Sequence, residues 1–97
     1  MSTTKEKEIQ RSSTVFAALG NKTRLGTLLL LQETTKPLHI KAVAEILKID
    51  YAALYRHVKI LQKSGLLEVY EVGRSRVLSI KNRELLQRLI ETANRII

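Results

Sequence analysis

Between Tyr51 and Ser64 the chain carries three cations, Arg56, Lys59 and Lys63, at a spacing that puts all of them on one side of a helix. With about 100° of rotation per residue, Leu54, Val58 and Leu61 fall in a narrow arc. Ala52, Arg56, Lys59 and Lys63 lie opposite it, with Tyr55 on the flank. Guanidinium and ammonium groups in such a row can pair with phosphate oxygens. Ala52 and Ala53 allow close approach, and an alanine methyl can touch a thymine methyl. Any surface helix shows cations away from its core, so this face alone decides little. Its setting decides more: a short helix and a brief turn precede it, and a hairpin follows with Arg74 and Arg76 bracketing its tip. A protruding hairpin can lay such side chains along or into a groove of duplex DNA.

The overall charge agrees. Seventeen Lys and Arg against nine Asp and Glu leave a net +8 on 97 residues. Such an excess favours polyanionic partners, because each cation that meets a phosphate releases condensed counterions. There is no cysteine, which excludes disulfides and thiolate metal sites. The two histidines lack carboxylates at ligand spacing; His39 reads as structural, and His57 falls between the apolar and cationic faces, where packing or hydrogen bonding and a phosphate contact are equally open. No metal and no cofactor is expected. No apolar run approaches the ~20 residues of a membrane span, and no secretory signal is visible, so an intracellular, cytoplasmic protein is expected.

The pattern along the chain reads helix, helix, short strand, helix, helix, hairpin, helix. Residues 1–7 are expected to form a flexible tail, and residues 8–97 a single domain. Val15, Phe16 and Leu19 mark the first helix, from Glu8 to a cap at Gly20. Asn21 can cap a second, Lys22 to about Glu33, with a stripe of Leu25, Leu28 and Leu29 widened by Leu30 and Leu31. Gly26 in that helix could permit close helix approach. Leu38 to Ile40 is strand-like, and Lys41 to Lys48 reads as a short helix with Val43, Ala44 and Leu47 inward. Asp50 is an N-cap for Tyr51 to Ser64, and Gly65 ends that helix. Leu66 to Val72 and Arg76 to Ile80 form the hairpin around Gly73-Arg74-Ser75, and Asn82 caps a last helix to Ile97. The fold class is mainly α with a small β-hairpin.

These residues resemble a family. Arg56-His57-Val58-Lys59-Ile60-Leu61, followed by Gly65-Leu66-Leu67, is similar to the "R-H-L-x-x-L…G-L-V" stretch of ArsR-type winged helix-turn-helix regulators. Ala18-Leu19-Gly20-Asn21-Lys22-Thr23-Arg24 resembles that family's "A-L-x-x-x-T-R", and Gly73-Arg74 its wing signature. The likeness covers residues 15 to 80. It implies a homodimer joined through its terminal helices, a 51–64 helix in the major groove, a wing on the backbone and, usually, repression of transcription. It implies too that Tyr51, Ala52 and Tyr55 occupy base-reading positions. Three features depart from the family. Ala42 to Leu47 lacks the Cys-x-Cys of metal-sensing members, and residues 82–97 lack the Asp and His of the other usual site. Tyr55 also replaces the small hydroxyl residue common at its position.

The last helix carries Leu85, Leu86, Leu89, Ile90, Ala93, Ile96 and Ile97 over an arc of about 140°, wider than one core-facing stripe needs. Phe16, Leu86, Leu89, Ile90, Ala93 and Ile97 are therefore expected at a dimer interface, since a small domain has little else to cover them. No catalytic constellation and no phosphate-cradling glycine loop is present in the sequence, so an enzyme is not expected. The expected partners are double-stranded DNA and a second copy of the chain. Sequence-tolerant architectural binding of DNA and a winged-helix protein–protein adaptor stand as alternatives.

Overall fold

The computed structural model describes residues 3–97. Five helices and three strands follow in the order α1 (Thr3–Leu19), α2 (Lys22–Glu33), β1 (Leu38–His39), α3 (Ile40–Leu47), α4 (Tyr51–Lys63), β2 (Leu67–Val72), β3 (Ser75–Ile80) and α5 (Arg83–Ile96). The expected order of elements is met.

Side-chain caps fix three helix starts. The Asn21 carboxamide oxygen accepts from the Arg24 N–H at 3.0 Å, Asp50 from Ala53 at 3.2 Å, and Asn82 from Leu85 at 3.0 Å. Each satisfies one of the four N–H groups that a helix leaves without an internal partner. Two C-termini close by the same backbone device. At the end of α4, Leu66 N–H reaches the Leu61 carbonyl and Gly65 N–H that of Gln62, both at 3.1 Å, with Gly65 at φ 84°. At the end of α3, Ile49 N–H reaches the Ala44 carbonyl and Lys48 N–H that of Glu45. Here the left-handed residue is Lys48, at φ 55°. A lysine in that region gives no sequence signal, because glycine or asparagine normally marks it. This reversal, with Ile49-Asp50, makes the tight turn that sets α4 against α3.

Differences from the sequence reading are local. α1 begins at Thr3, not Glu8, so Thr3 to Lys7 are helical. Lys, Glu and Gln are good helix formers and dominate residues 5–10, where Lys5 pairs with Glu8 at 3.9 Å. The first two residues of the expected tail lie outside the described residues. Ile40 opens α3 rather than ending β1. In α2 the buried side chains are Thr27, Leu28 and Leu31, whereas Leu29 is 42% exposed. The inward stripe is thus rotated from the expected Leu25-Leu28-Leu29. Thr27 reaches the core by donating its hydroxyl to the Thr23 carbonyl at 2.9 Å. Gly26 serves no close approach, since nothing lies within 4 Å of where a Cβ would stand.

The sheet is antiparallel with order β1-β3-β2. β1 pairs with β3 through Leu38↔Leu78 and His39↔Val77. Leu67↔Ile80 to Val72↔Ser75 set the hairpin register, so its loop is the two residues Gly73-Arg74, and Ser75 already belongs to β3. Gly73 takes φ 62° at the first central position, as a two-residue hairpin turn with one left-handed residue needs. Leu78 and Ile80 of β3 and Leu67 of β2 meet Leu28 and Leu31 of α2, Val43 of α3, and Leu54, Val58 and Leu61 of α4 in one core. That core anchors α4 and the hairpin to the same foundation.

Candidate nucleic-acid interface

α4 presents the two faces that its sequence requires. Leu54, Val58 and Leu61 are at most 1% exposed, whereas Ala52, Arg56, Lys59 and Lys63 all face solvent. Burial of three large apolar side chains on one stripe leaves the helix a single orientation, and the cations are turned outward as a consequence. The hairpin stands beside this face, with Arg74 exposed at its turn.

Four aromatic and cationic side chains meet between helix and hairpin. The Tyr51 and Tyr55 rings, one helical turn apart, lie nearly parallel, with centroids 6.5 Å apart and planes 8° apart. The Arg76 guanidinium lies over the Tyr55 ring, 4.6 Å from its centroid, and its Nη1 donates to the Tyr51 hydroxyl at 3.1 Å. Its Nε is 3.5 Å from the Glu71 carboxylate on the paired strand. Lys59 Nζ also approaches the Tyr55 ring, at 5.4 Å. Arg76, expected at the hairpin tip alongside Arg74, is therefore directed back onto α4. The two-residue turn is the reason: it moves Arg76 into a paired strand position opposite Glu71. Tyr55 sits on the flank as expected, half-buried against the core rather than projecting from it.

A cleft bounded by the starts of α3 and α4 and the hairpin turn is lined by His39, Lys41, Tyr51, Arg74 and Arg76 among others. Lys41 was not singled out in the sequence. Nothing in the local pattern marks it, because its proximity to Arg74 comes from the β1–β3 pairing.

Arg24 is the other residue that sequence reasoning left without a role, although it lies in the quoted "T-R" motif. Its guanidinium donates from Nε to the Ala18 carbonyl at 2.7 Å and from Nη2 to the Ala17 carbonyl at 3.0 Å. Nη1 lies 3.1 Å from His57 Nδ1. An arginine can only donate, so Nδ1 accepts and the imidazole is neutral there. Burial first, then the Arg24 and Arg56 charges, holds His57 below its ordinary 6.5. Of the roles open to it, His57 thus takes the hydrogen-bonding one, and among the described residues no group of His, Asp and Glu could hold a metal.

A second surface is apolar. Phe16, Leu19, Gly20 and Leu25 face Leu89, Ile90 and Ala93 across an open groove between α1 and the α5 end of the molecule. Phe16 is 63% exposed, Ile96 82%, and Ile97 fully so. Leu86 departs from the expectation for it. At 1% exposed it is sealed in the core cluster of its own domain. It has no surface to offer a partner.

Two helices joined by a tight turn and followed by a hairpin braced on the second define a winged helix-turn-helix protein. Residues 19–70 match the model of the helix-turn-helix domain family, and the chain belongs to that family. No match was found among the curated proteins. Solved structures agree on the fold. The homodimeric winged helix-turn-helix DNA-binding domain of Mb0332 from Mycobacterium bovis, a possible ArsR-family transcriptional regulator, superposes with a TM-score of 0.85 at 22% identity. That likeness covers 97% of this chain and 88% of the other. NolR from Sinorhizobium fredii gives 0.78 at 19% identity, covering 97% and 92%. HlyU from Vibrio cholerae gives 0.72 at 23%, covering 87% and 96%. The hairpin is thus the wing, and the fold is that of ArsR-family winged helix-turn-helix structures.

Proposed function

We propose that this chain is a DNA-binding transcriptional regulator, a repressor acting as a homodimer on a palindromic operator. The observation that carries this reading is the outward projection of Arg56, Lys59 and Lys63 beside the wing while Leu54, Val58 and Leu61 are sealed inside. α4 enters the major groove with Tyr51, Ala52 and the Tyr55 flank toward base edges. Arg56, Lys59 and Lys63 meet phosphates, and Arg74 reaches the backbone or the adjacent minor groove.

Self-association is part of the reading. Residues 3–14 of α1 are exposed along their whole length, and Ala18 is that helix's one buried residue. An isolated segment of about a dozen residues is marginal in water, so a second copy supplies what the helix lacks. Phe16, Leu89, Ile90, Ala93 and Ile97 are the surface that it covers, and the homodimeric state of the Mb0332 domain supports the assignment. Two-fold symmetry then sets the recognition helices about 34 Å apart, one turn of DNA. Among the described residues no helix is long and apolar enough to cross a membrane.

Selection of bound fragments from random DNA tests the proposal. The expected result is an inverted repeat with half-sites one turn apart, bound ~10³-fold or more above random sequence. Retention of every sequence alike would instead mean architectural binding, and no retention at low salt would end the nucleic-acid reading.

A further inference from the structure

We infer that Arg76 is a positioning residue that clasps the wing to the recognition helix, so that sequence discrimination depends on it although it makes no phosphate contact. The inference rests on the DNA-binding reading above and assigns a part of that surface a different task.

Three neighbours engage the guanidinium, two at its edges and one at its face. Nη1 donates to the Tyr51 hydroxyl, Nε faces Glu71, and the plane lies over the Tyr55 ring. A cation over a tyrosine face is attracted by the negative face of the ring, and more strongly as water is excluded. A phosphate that took the Nη1 or the Nε donor would have to displace the Tyr51 hydroxyl or the Glu71 carboxylate. Arg74, one position beyond Gly73, is exposed, and no such contact is seen for it among the described residues. The two wing arginines therefore divide the work: Arg74 meets the backbone, and Arg76 sets where the wing stands.

The consequence for recognition follows from the tyrosines. Tyr51 and Tyr55 are held parallel to one another, and the same guanidinium that orders their rings is fixed to β3. Without it the Tyr51 ring regains rotamer freedom at the helix start, and the wing loses its tie to α4. Either change leaves the charge that meets phosphate intact and loosens the geometry that distinguishes one base pair from another.

The test compares the full-length parent with Arg76→Gln, Arg76→Lys and Tyr51→Phe, each against the selected sequence and random DNA over a salt series. Circular dichroism and sedimentation confirm the folded, assembled state of each. Arg76→Gln should reduce the specific-to-random affinity ratio about tenfold with an unchanged slope of log K against log salt. Arg76→Lys keeps the charge but not the flat guanidinium with its several donors, and should restore little of that ratio. Tyr51→Phe removes only the hydroxyl acceptor. It should lower the ratio in the parent and less so in the Arg76→Gln background, the signature of a coupled pair. A slope flattened by about one unit per protomer, with the ranking of sequences kept, would make Arg76 a phosphate contact and overturn the inference. Strictly additive effects of the two substitutions, or an unchanged ratio in both, would overturn it too. Failure of the parent to prefer any sequence would be a failure of the DNA-regulator reading, visible before any variant is measured.

Discussion

Arg24 Nη1 and His57 Nδ1, 33 positions apart in sequence, stand 3.1 Å from each other and join α2 to α4. The same guanidinium holds the Ala17 and Ala18 carbonyls at the end of α1, where a helix leaves C=O groups without internal partners. One side chain therefore ties the helix that carries the proposed dimer surface to the helix proposed to read DNA. Its worth is that of several partly buried hydrogen bonds to a charged donor.

Arg24→Ala should destabilise the fold by about 2–3 kcal/mol, since it abandons two carbonyls and an imidazole nitrogen at once. For a domain of this size that is a drop of roughly 10–20 °C in Tm. Thermal unfolding followed by circular dichroism at fixed protein concentration checks it; a change within two degrees would deny Arg24 this role.

Stability should also fall on the acid side of pH 6.5. His57 is held below that value in the folded chain, so the unfolded chain binds more protons between the two pKa values. The His57 contribution is complete above about 6.5 and is lost as pH falls through the folded value. Denaturation midpoints of the parent and His57→Gln across pH 4.5–7.5 (a window of about three units) should converge toward acid. Parallel curves would refute the assignment.

Lys63→Ala and Arg74→Ala should each flatten the salt dependence of DNA affinity by about one unit per protomer and weaken all sequences alike. Fluorescence anisotropy titrations at several salt concentrations measure both quantities. A variant that re-ranks sequences while keeping the slope would belong to base reading instead.

Phe16→Glu and Leu86→Ala should separate association from folding. Phe16→Glu places a charge on the exposed apolar surface and should yield a folded monomer by sedimentation velocity. Leu86→Ala empties a core position and should cost about 2–5 kcal/mol of protomer stability. What remains folded should still be a dimer, and a stable monomer from Leu86→Ala would restore that residue to the interface.

Local chemistry and periodicity determined much of this protein in the sequence alone. Asn21, Asp50 and Asn82 announce helix starts because a side-chain oxygen can satisfy N–H groups only two or three residues away. Leu54, Val58 and Leu61 announce the inward face of α4 because 3.6 residues per turn leave no other common stripe, and the outward cations follow. Gly65 and Gly73 mark reversals that only left-handed backbone can make.

Tertiary structure alone decided which distant groups meet. Lys48 makes a left-handed turn that glycine usually makes, held by neighbours rather than by its own preference. Leu86 and Leu89 share one apolar arc, yet packing into the core buries the first and leaves the second at a groove. Arg76 reads as a wing-tip cation until the hairpin register places it opposite Glu71 and over Tyr55. The physical reason is common to all three: hydrogen-bond reach and helical period are local properties, whereas burial and side-chain pairing depend on elements brought together across tens of residues.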